Sequence, residues 1–124
     1  MNTPITSEKA PAAIGPYSQA ICTGNRLYLS GQLGVDASTG EMPEAFGEQA
    51  ELVMKNIVFI LSEAGFALTD ITKTTIFLDD MENFSAINEI YGAYFPEYKP
   101  ARSCFQVARL PRNAKVEIEV IAER

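Results

Sequence analysis

The chain has 124 residues, of which 47% are hydrophobic and 21% charged, and it contains no histidine. This length predicts one domain over residues 1–124. The missing histidine excludes a Ser-His-Asp triad, a Cys-His dyad and any histidine-ligated metal, and two cysteines are too few for a structural zinc site. The net charge of -6 and the scattered Lys and Arg residues argue against a general nucleic-acid binder.

The N-terminal segment and the two cysteines favour the cytosol. The first 18 residues, MNTPITSEKAPAAIGPYS, have neither the basic leader nor the apolar core of a signal peptide. Cys22 and Cys104 lie far apart, which in a cytosolic chain favours two free thiols over a disulfide. No apolar run is long enough to cross a bilayer, so we expect no membrane association.

The first half of the chain predicts two strands and a long helix. Strands over residues 19–23 and 27–30 are joined by a hairpin turn at TGNR. The segment GQLGVDASTGEMP is rich in turn formers and predicts a loop, with Pro43 as the first helical residue. Gly65 ends the helix. Its apolar positions recur every three or four residues, at Phe46, Ala50, Val53, Ile57, Ile60 and Ala64.

The second half predicts a strand, a shorter helix and two further strands. β-branched residues indicate a strand over residues 71–78, after which Asp80 can cap the helix and Phe95-Pro96 can end it. Strands over 101–108 and 115–122 follow, joined by the turn RLPRNA. The order ββαβαββ predicts an α+β sandwich, with one mostly antiparallel or mixed sheet and two helices over one face. The shorter helix has an apolar stripe at helical spacing, formed by Phe84, Ile87, Tyr91 and Tyr94.

Arg102 enters a predicted strand shortly after Pro100, where backbone N–H groups and a fixed cation could hold an anion. If the last two strands form a hairpin, Arg102 lies roughly opposite Glu117, and both share the face that the helices leave open. One interpretation is a structural ion pair on that face. The other is a ligand site, because charges buried against a second subunit must be paired or hold a ligand.

Four segments of the chain resemble the RidA (YjgF) family of reactive-intermediate imine deaminases. They are APAAIGPYSQA, YLSGQLG, NEIYGAYFPEYKPARSCFQVARLP and KVEIEVIA. The signature of Pro-Ala-Arg-Ser followed by an aliphatic-Glu-Ile triplet occurs at residues 100–103 and 116–118. The resemblance implies a chorismate-mutase-like α+β fold, assembled as a homotrimer with three clefts between subunits. It also implies no metal and no organic cofactor.

The resemblance further implies hydrolysis of small 2-imino acids, and of enamine tautomers such as 2-aminoacrylate, to 2-oxo acids and ammonia. Arg102 would hold the substrate carboxylate through two parallel hydrogen bonds, helped by the backbone around Cys104. The Gly31 carbonyl would face the substrate nitrogen, Glu117 would position or deprotonate water, and Tyr17 would close the pocket and relay a proton. Ser30 and Asn88 match further substrate-binding positions of the family.

Each of these positions also has a structural interpretation. Tyr17 could pack a turn, Cys104 could be a small buried hydrophobe, and Ser30 and Gly31 could simply end a strand. Tyr91, like Asn88, matches a family position near the cleft, but we assign Tyr91 to the core because it lies on the apolar helical stripe. The sequence departs from common members at two places: Phe105-Gln106 replaces Val-Glu, and Gly34 replaces a proline.

Two other functions compete with imine hydrolysis. The family has long been labelled an endoribonuclease or translation inhibitor, which would need a basic groove on this acidic chain. Some members instead bind 2-oxo acids in the same cleft without catalysis. Retained imine turnover after Arg102→Ala would argue against a hydrolysis site anchored by Arg102, whereas binding of 2-oxobutanoate without turnover would favour a regulator.

Overall fold

A computed structural model describes all 124 residues, which form a six-stranded sheet and two α-helices. The strands are β1 (Asn2–Ile5), β2 (Ala20–Thr23), β3 (Arg26–Leu33), β4 (Ile71–Leu78), β5 (Ala101–Gln106) and β6 (Val116–Glu123). The helices are α1 (Phe46–Glu63) and α2 (Phe84–Tyr94). Every strand and helix of the sequence prediction is present, and β1 is an addition that the sequence did not indicate. Neither helix is both long and apolar enough to cross a membrane.

The strand order is β1-β2-β3-β6-β4-β5, with every neighbouring pair antiparallel except β4 and β5. The predicted hairpin between the last two strands is therefore wrong. Helix α2 connects β4 to β5 as a crossover and makes this pair parallel. Strand β6 then returns to the gap between β3 and β4, where both of its edges are paired.

Both helices cover one face of the sheet and enclose the core there. Along β6 the buried residues Val116, Ile118, Val120 and Ala122 point toward the helices, as their alternation predicts. The other face, called here the open face, carries exposed Tyr28, Phe105 and Ile121 beside Glu119. The α+β sandwich with helices on one side is thereby confirmed.

The helix boundaries follow local chemistry. Helix α1 begins at Phe46 after an extended Ala45, so the prediction that Pro43 starts it is three residues too early. Its end is as predicted, since Gly65 adopts a left-handed φ of 81°. Asp80 caps the 3₁₀ turn that leads into α2, accepting a hydrogen bond from the Glu82 N–H at 2.9 Å.

Candidate functional site

The first group of predicted site residues lies between α2 and β5. The guanidinium of Arg102 donates a hydrogen bond from Nη1 to Asn88 Oδ1 at 2.7 Å. Its Cζ lies 5.6 Å from the centroid of the Phe84 ring and 5.2 Å from that of Tyr91. Helical spacing puts Phe84, Asn88 and Tyr91 on one side of α2. We call Arg102, Asn88, Phe84, Tyr91 and Cys104 the arginine cluster.

Arg102 is partly buried and has no acidic partner within the chain. The two salt bridges of the protein join Arg26 to Glu123 and Lys115 to Glu44. A guanidinium has five N–H groups, and the bond to Asn88 uses one of them. A planar cation with free N–H groups matches the geometry of a carboxylate, which it can bind through two parallel hydrogen bonds.

Backbone geometry adds a donor beside Arg102. The Val107 N–H donates to the Leu78 carbonyl on β4 at 2.8 Å. Because N–H groups along a strand point alternately to either side, the N–H of Cys104 points away from β4. Strand β5 is the last in the sheet, so this N–H lies on a free edge. The arginine cluster therefore combines a cation with a backbone donor at one sheet edge.

The thiol of Cys104 contributes less than its backbone. The side chain is partly buried and packs against the core. Burial raises the pKa of the Cys104 thiol, while the nearby Arg102 charge opposes this rise. The thiol is therefore held in its protonated form, which is a poor nucleophile.

The second group of predicted site residues is centred on Glu117 in β6. The Glu117 carboxylate lies directly over Gly31, where an added Cβ would come within 2.8 Å of Glu117 Cδ. Burial raises the pKa of Glu117, and the charge of Glu119 on the same face raises it further. Gly31 lies where the pairing of β3 with β6 shifts register, so it stands outside the regular ladder. A side chain at this position would therefore displace the Glu117 carboxylate.

Ser30 precedes Gly31 in β3, and Tyr17 lines one cleft together with Gly31. Tyr17 is exposed and lies two residues after Gly15, whose φ is 118°. The Tyr17 N–H donates to the Gly15 carbonyl at 2.9 Å. The Ser30 hydroxyl donates to the Ser18 carbonyl at 2.6 Å, which ties the two segments together. We call Glu117, Gly31, Ser30 and Tyr17 the glutamate cluster.

A cleft of about 530 Å³ adjoins the glutamate cluster. Tyr17 and Gly31 line it together with Pro111 and Arg112, which the sequence analysis did not single out. Arg112 adopts a left-handed φ of 59° and donates to the Gly40 carbonyl at 3.3 Å, linking two loops of the cleft wall. The left-handed backbone of Arg112 was not predicted from the sequence, because the turn RLPRNA contains no glycine.

The two clusters lie on opposite faces of the sheet. In register, Arg102 pairs with Thr74, whose buried side chain reaches α2, so Arg102 faces the helices. Glu117 pairs with Phe77 on β4 and faces the open side. Strand β4 also lies between β5, which carries Arg102, and β6, which carries Glu117. The two backbones are therefore two strand spacings apart, about 10 Å. The prediction that Arg102 lies opposite Glu117 on the open face is therefore wrong.

Phe84 and Thr74 were missed by the sequence analysis, and Tyr91 was assigned only to the core. Tyr91 is indeed buried, but its ring also contacts Arg102 and its hydroxyl contacts Thr74. The spacing of Phe84, Asn88 and Tyr91 at i, i+4 and i+7 was a usable signal for one shared helix side. No group of three or more His, Cys, Asp or Glu side chains is arranged to hold a metal ion.

Comparison with known proteins assigns this arrangement to a family. The profile described as Endoribonuclease L-PSP matches residues 7–124. The chain is 46% identical to the 2-iminobutanoate/2-iminopropanoate deaminase of Escherichia coli K12, covering 100% of this chain and 99% of that protein. The chain belongs to the RidA family.

Other comparisons agree with this assignment. The chain is 51% identical to the chloroplastic Reactive Intermediate Deaminase A of Arabidopsis thaliana, over 95% of this chain and 64% of the plant protein. A crystal structure of a putative endoribonuclease from Thermotoga maritima superposes with a TM-score of 0.98 at 45% identity, covering 100% of this chain and 98% of that one. The RidA-family fold predicted from the sequence is thus confirmed.

Proposed function

We propose that this protein hydrolyses small 2-imino acids and their enamine tautomers, such as 2-aminoacrylate, to 2-oxo acids and ammonia. The observation that carries the proposal is Arg102, a partly buried cation without an acidic partner, next to a free backbone N–H at a sheet edge. Such a pair of donors suits a small carboxylate. The activity named for the Escherichia coli relative requires a carboxylate next to the reacting carbon.

In the reaction that we assign, each cluster has a separate task. Arg102 binds the substrate carboxylate with two N–H groups, and the Cys104 N–H donates a third hydrogen bond. The Gly31 carbonyl accepts a hydrogen bond from the imine nitrogen and favours its protonated, electrophilic form. Glu117 removes a proton from water as the water oxygen bonds to the imine carbon. Tyr17 closes the pocket and relays a proton.

The chemistry needs only modest acceleration. Water adds to the C=N bond to give a carbinolamine, and departure of ammonia leaves the 2-oxo acid, so one water is consumed for each ammonia released. Imines already hydrolyse in water, and a well-placed general base contributes about 10²- to 10⁴-fold. Ser30 and Asn88 act by holding the segments and the guanidinium that bind substrate, since both side chains already have partners.

We propose that one substrate contacts the arginine cluster of one chain and the glutamate cluster of a second. A small imino acid cannot reach both clusters within one chain, because the sheet lies between them. The free edge of β5 and the apolar residues of the open face offer a surface for a second copy. A closed ring of three copies provides three equivalent clefts. The protein in this proposal is a single-domain homotrimer that uses no cofactor.

The remaining expectations are part of the same proposal. The two free cysteines suit a reducing compartment, and we place the activity in the cytosol. The partners are small 2-imino and 2-oxo acids. A ribonuclease would need a cationic groove, and the only cation lining the cleft beside Tyr17 is Arg112. Imine hydrolysis is therefore the function that the site supports best.

The proposal is tested by a coupled assay in which a dehydratase generates 2-aminoacrylate from serine. Wild-type protein should speed pyruvate release, and Arg102→Ala should lower kcat/KM at least about 100-fold, because the carboxylate loses its bidentate partner. Arg102→Lys should recover only a small part, since an ammonium cannot form the same paired bonds. Arg26→Ala is the matched control, because Arg26 already pairs with Glu123.

Two outcomes would overturn the proposed function. If wild type, Arg102→Ala and a protein-free reaction release pyruvate at the same rate, the protein is not an imine deaminase. Binding of 2-oxobutanoate by that inactive wild type would then identify a ligand-binding regulator. If Arg102→Ala hydrolyses imines as fast as wild type, the carboxylate anchor lies elsewhere.

A further inference from the structure

Tyr91 is buried beside Arg102 and has no role in the chemistry assigned above. Its ring centroid lies 5.2 Å from Arg102 Cζ, within the range of a cation–π contact. Phe84 contributes a second ring, at 5.6 Å, and Asn88 Oδ1 accepts the hydrogen bond from Arg102 Nη1. The guanidinium is thus contacted at three points by one side of α2. These contacts restrict the rotation of a side chain that is otherwise flexible.

The Tyr91 ring is itself fixed from the sheet. Its hydroxyl and Thr74 Oγ1 form a hydrogen bond of 2.8 Å, and both residues are buried. Thr74 on β4 is the register partner of Arg102 on β5. The bond therefore links the ring to the residue next to the backbone of Arg102. Burial raises the pKa of Tyr91, so the hydroxyl stays neutral and keeps its hydrogen.

We propose that Tyr91 is a positioning residue, which holds the Arg102 guanidinium in the orientation that binds the substrate carboxylate. The proposal rests on the proposed function in that Arg102 must be the anchor. Asn88 occupies one N–H, and the adjacent rings restrict the guanidinium while its other N–H groups have no acidic partner in the chain. An oriented arginine loses less conformational freedom when the carboxylate binds. Tyr91 therefore acts on affinity and leaves the water-attack step unchanged.

The test compares three variants by titration with 2-oxobutanoate and by steady-state kinetics. Tyr91→Leu removes the ring and should raise Kd and KM about tenfold, with kcat within about twofold of wild type. Tyr91→Phe keeps the ring and should raise Kd only about threefold, through loss of the Thr74 bond. Tyr94→Phe is the matched control, because Tyr94 lies on the same helix but its hydroxyl donates to Glu51.

A direct readout of Arg102 keeps the test independent of catalysis. The Nε–H resonance of Arg102, assigned by its absence in Arg102→Lys, should shift in Tyr91→Leu through loss of the ring current and stay in place in Tyr94→Phe. A folded Tyr91→Leu with unchanged Kd and an unchanged Nε–H resonance overturns the positioning role. If the wild-type protein has no deaminase activity, only the proposed function is overturned. The Arg102 Nε–H resonance still tests the role of Tyr91 in that case.

A second variant covers the case in which Tyr91→Leu does not fold. Thr74→Val keeps the shape of the side chain and removes the partner of the Tyr91 hydroxyl. It should raise Kd for 2-oxobutanoate about threefold and shift the Arg102 Nε–H resonance. A folded Thr74→Val in which neither quantity changes overturns the proposal.

Discussion

At the scale of single residues, Glu117 shows how the structure sets up a base without histidine. Its carboxylate lies over Gly31, and its two register partners, Leu33 and Phe77, are apolar. Burial is the main cause of its raised pKa, and the Glu119 charge is the second. A carboxylate with a raised pKa is a stronger base than an ordinary one once it is ionised.

This arrangement predicts the acid side of the pH profile. Glu117 must be ionised to act as a base, so kcat/KM should fall as the pH drops through its raised pKa. Glu119→Gln removes a negative neighbour and should move the acid limb to lower pH. Glu123→Gln, at the far end of the same strand, should leave the limb in place. An unmoved limb in Glu119→Gln would show that Glu119 does not influence the base.

At the scale of elements, buried amides hold the loops that form the cleft beside Tyr17. The Gln19 amide donates to the Ser7 and Pro11 carbonyls, and its oxygen accepts from the Ser7 N–H at 2.7 Å. Asn56 on α1 donates to the carbonyls of Leu33 and Val35. These side chains satisfy backbone groups that a loop would otherwise bury without partners.

Gly34, where common family members have proline, is explained by close packing against α1. A Cβ at Gly34 would lie 2.6 Å from the Gln49 Cα, which is backbone of the first turn of the helix. Gly34→Ala should therefore lower the free energy of unfolding by about 1–3 kcal/mol, measured by thermal or denaturant unfolding. Gly92→Ala in α2, where nothing lies within 4 Å, should be neutral or stabilise by about 0.5–1 kcal/mol. An unchanged midpoint for Gly34→Ala would mean that α1 can move away from the loop.

At the scale of the whole molecule, the placement of the clusters makes the second copy part of the proposed site. Arg102 faces the helices and Glu117 faces the open side, so the two side chains cannot meet across one sheet. The apolar residues Tyr28, Phe105 and Ile121 on the open face are those expected of a surface that a partner covers.

Mixing two inactive variants tests this shared site. Arg102→Ala and Glu117→Gln should each be inactive alone, but unfolding and refolding them together in equal amounts should restore activity. Random assembly gives about one quarter of the clefts an intact Arg102 from one chain and an intact Glu117 from its neighbour. Activity near a quarter of the wild-type value is therefore expected in the coupled assay. If a mixture of verified trimers shows no restored activity, the Arg102 and Glu117 side chains of one site belong to the same chain.

The sequence by itself determined the local elements and the family. Apolar spacing indicated α1 and α2, β-branched density gave the bounds of β4, and the alternation in β6 identified its buried face. These signals are local, because each depends on the repeat of a single element. The signature residues around Arg102 and Glu117 led to the family that the comparisons confirm.

Only the tertiary structure decided which strands are neighbours and which face Arg102 occupies. The sequence suggested a hairpin of β5 and β6, because the two follow each other along the chain. The α2 crossover instead made β5 parallel to β4, and β6 entered the sheet between β3 and β4. Alternation along β5 predicts that Arg102 and Phe105 lie on opposite faces of the sheet. It cannot predict which of the two faces the helices, because this edge strand carries both polar and apolar residues. That choice depends on contacts with α2, which are distant in sequence and arise only when the chain is folded.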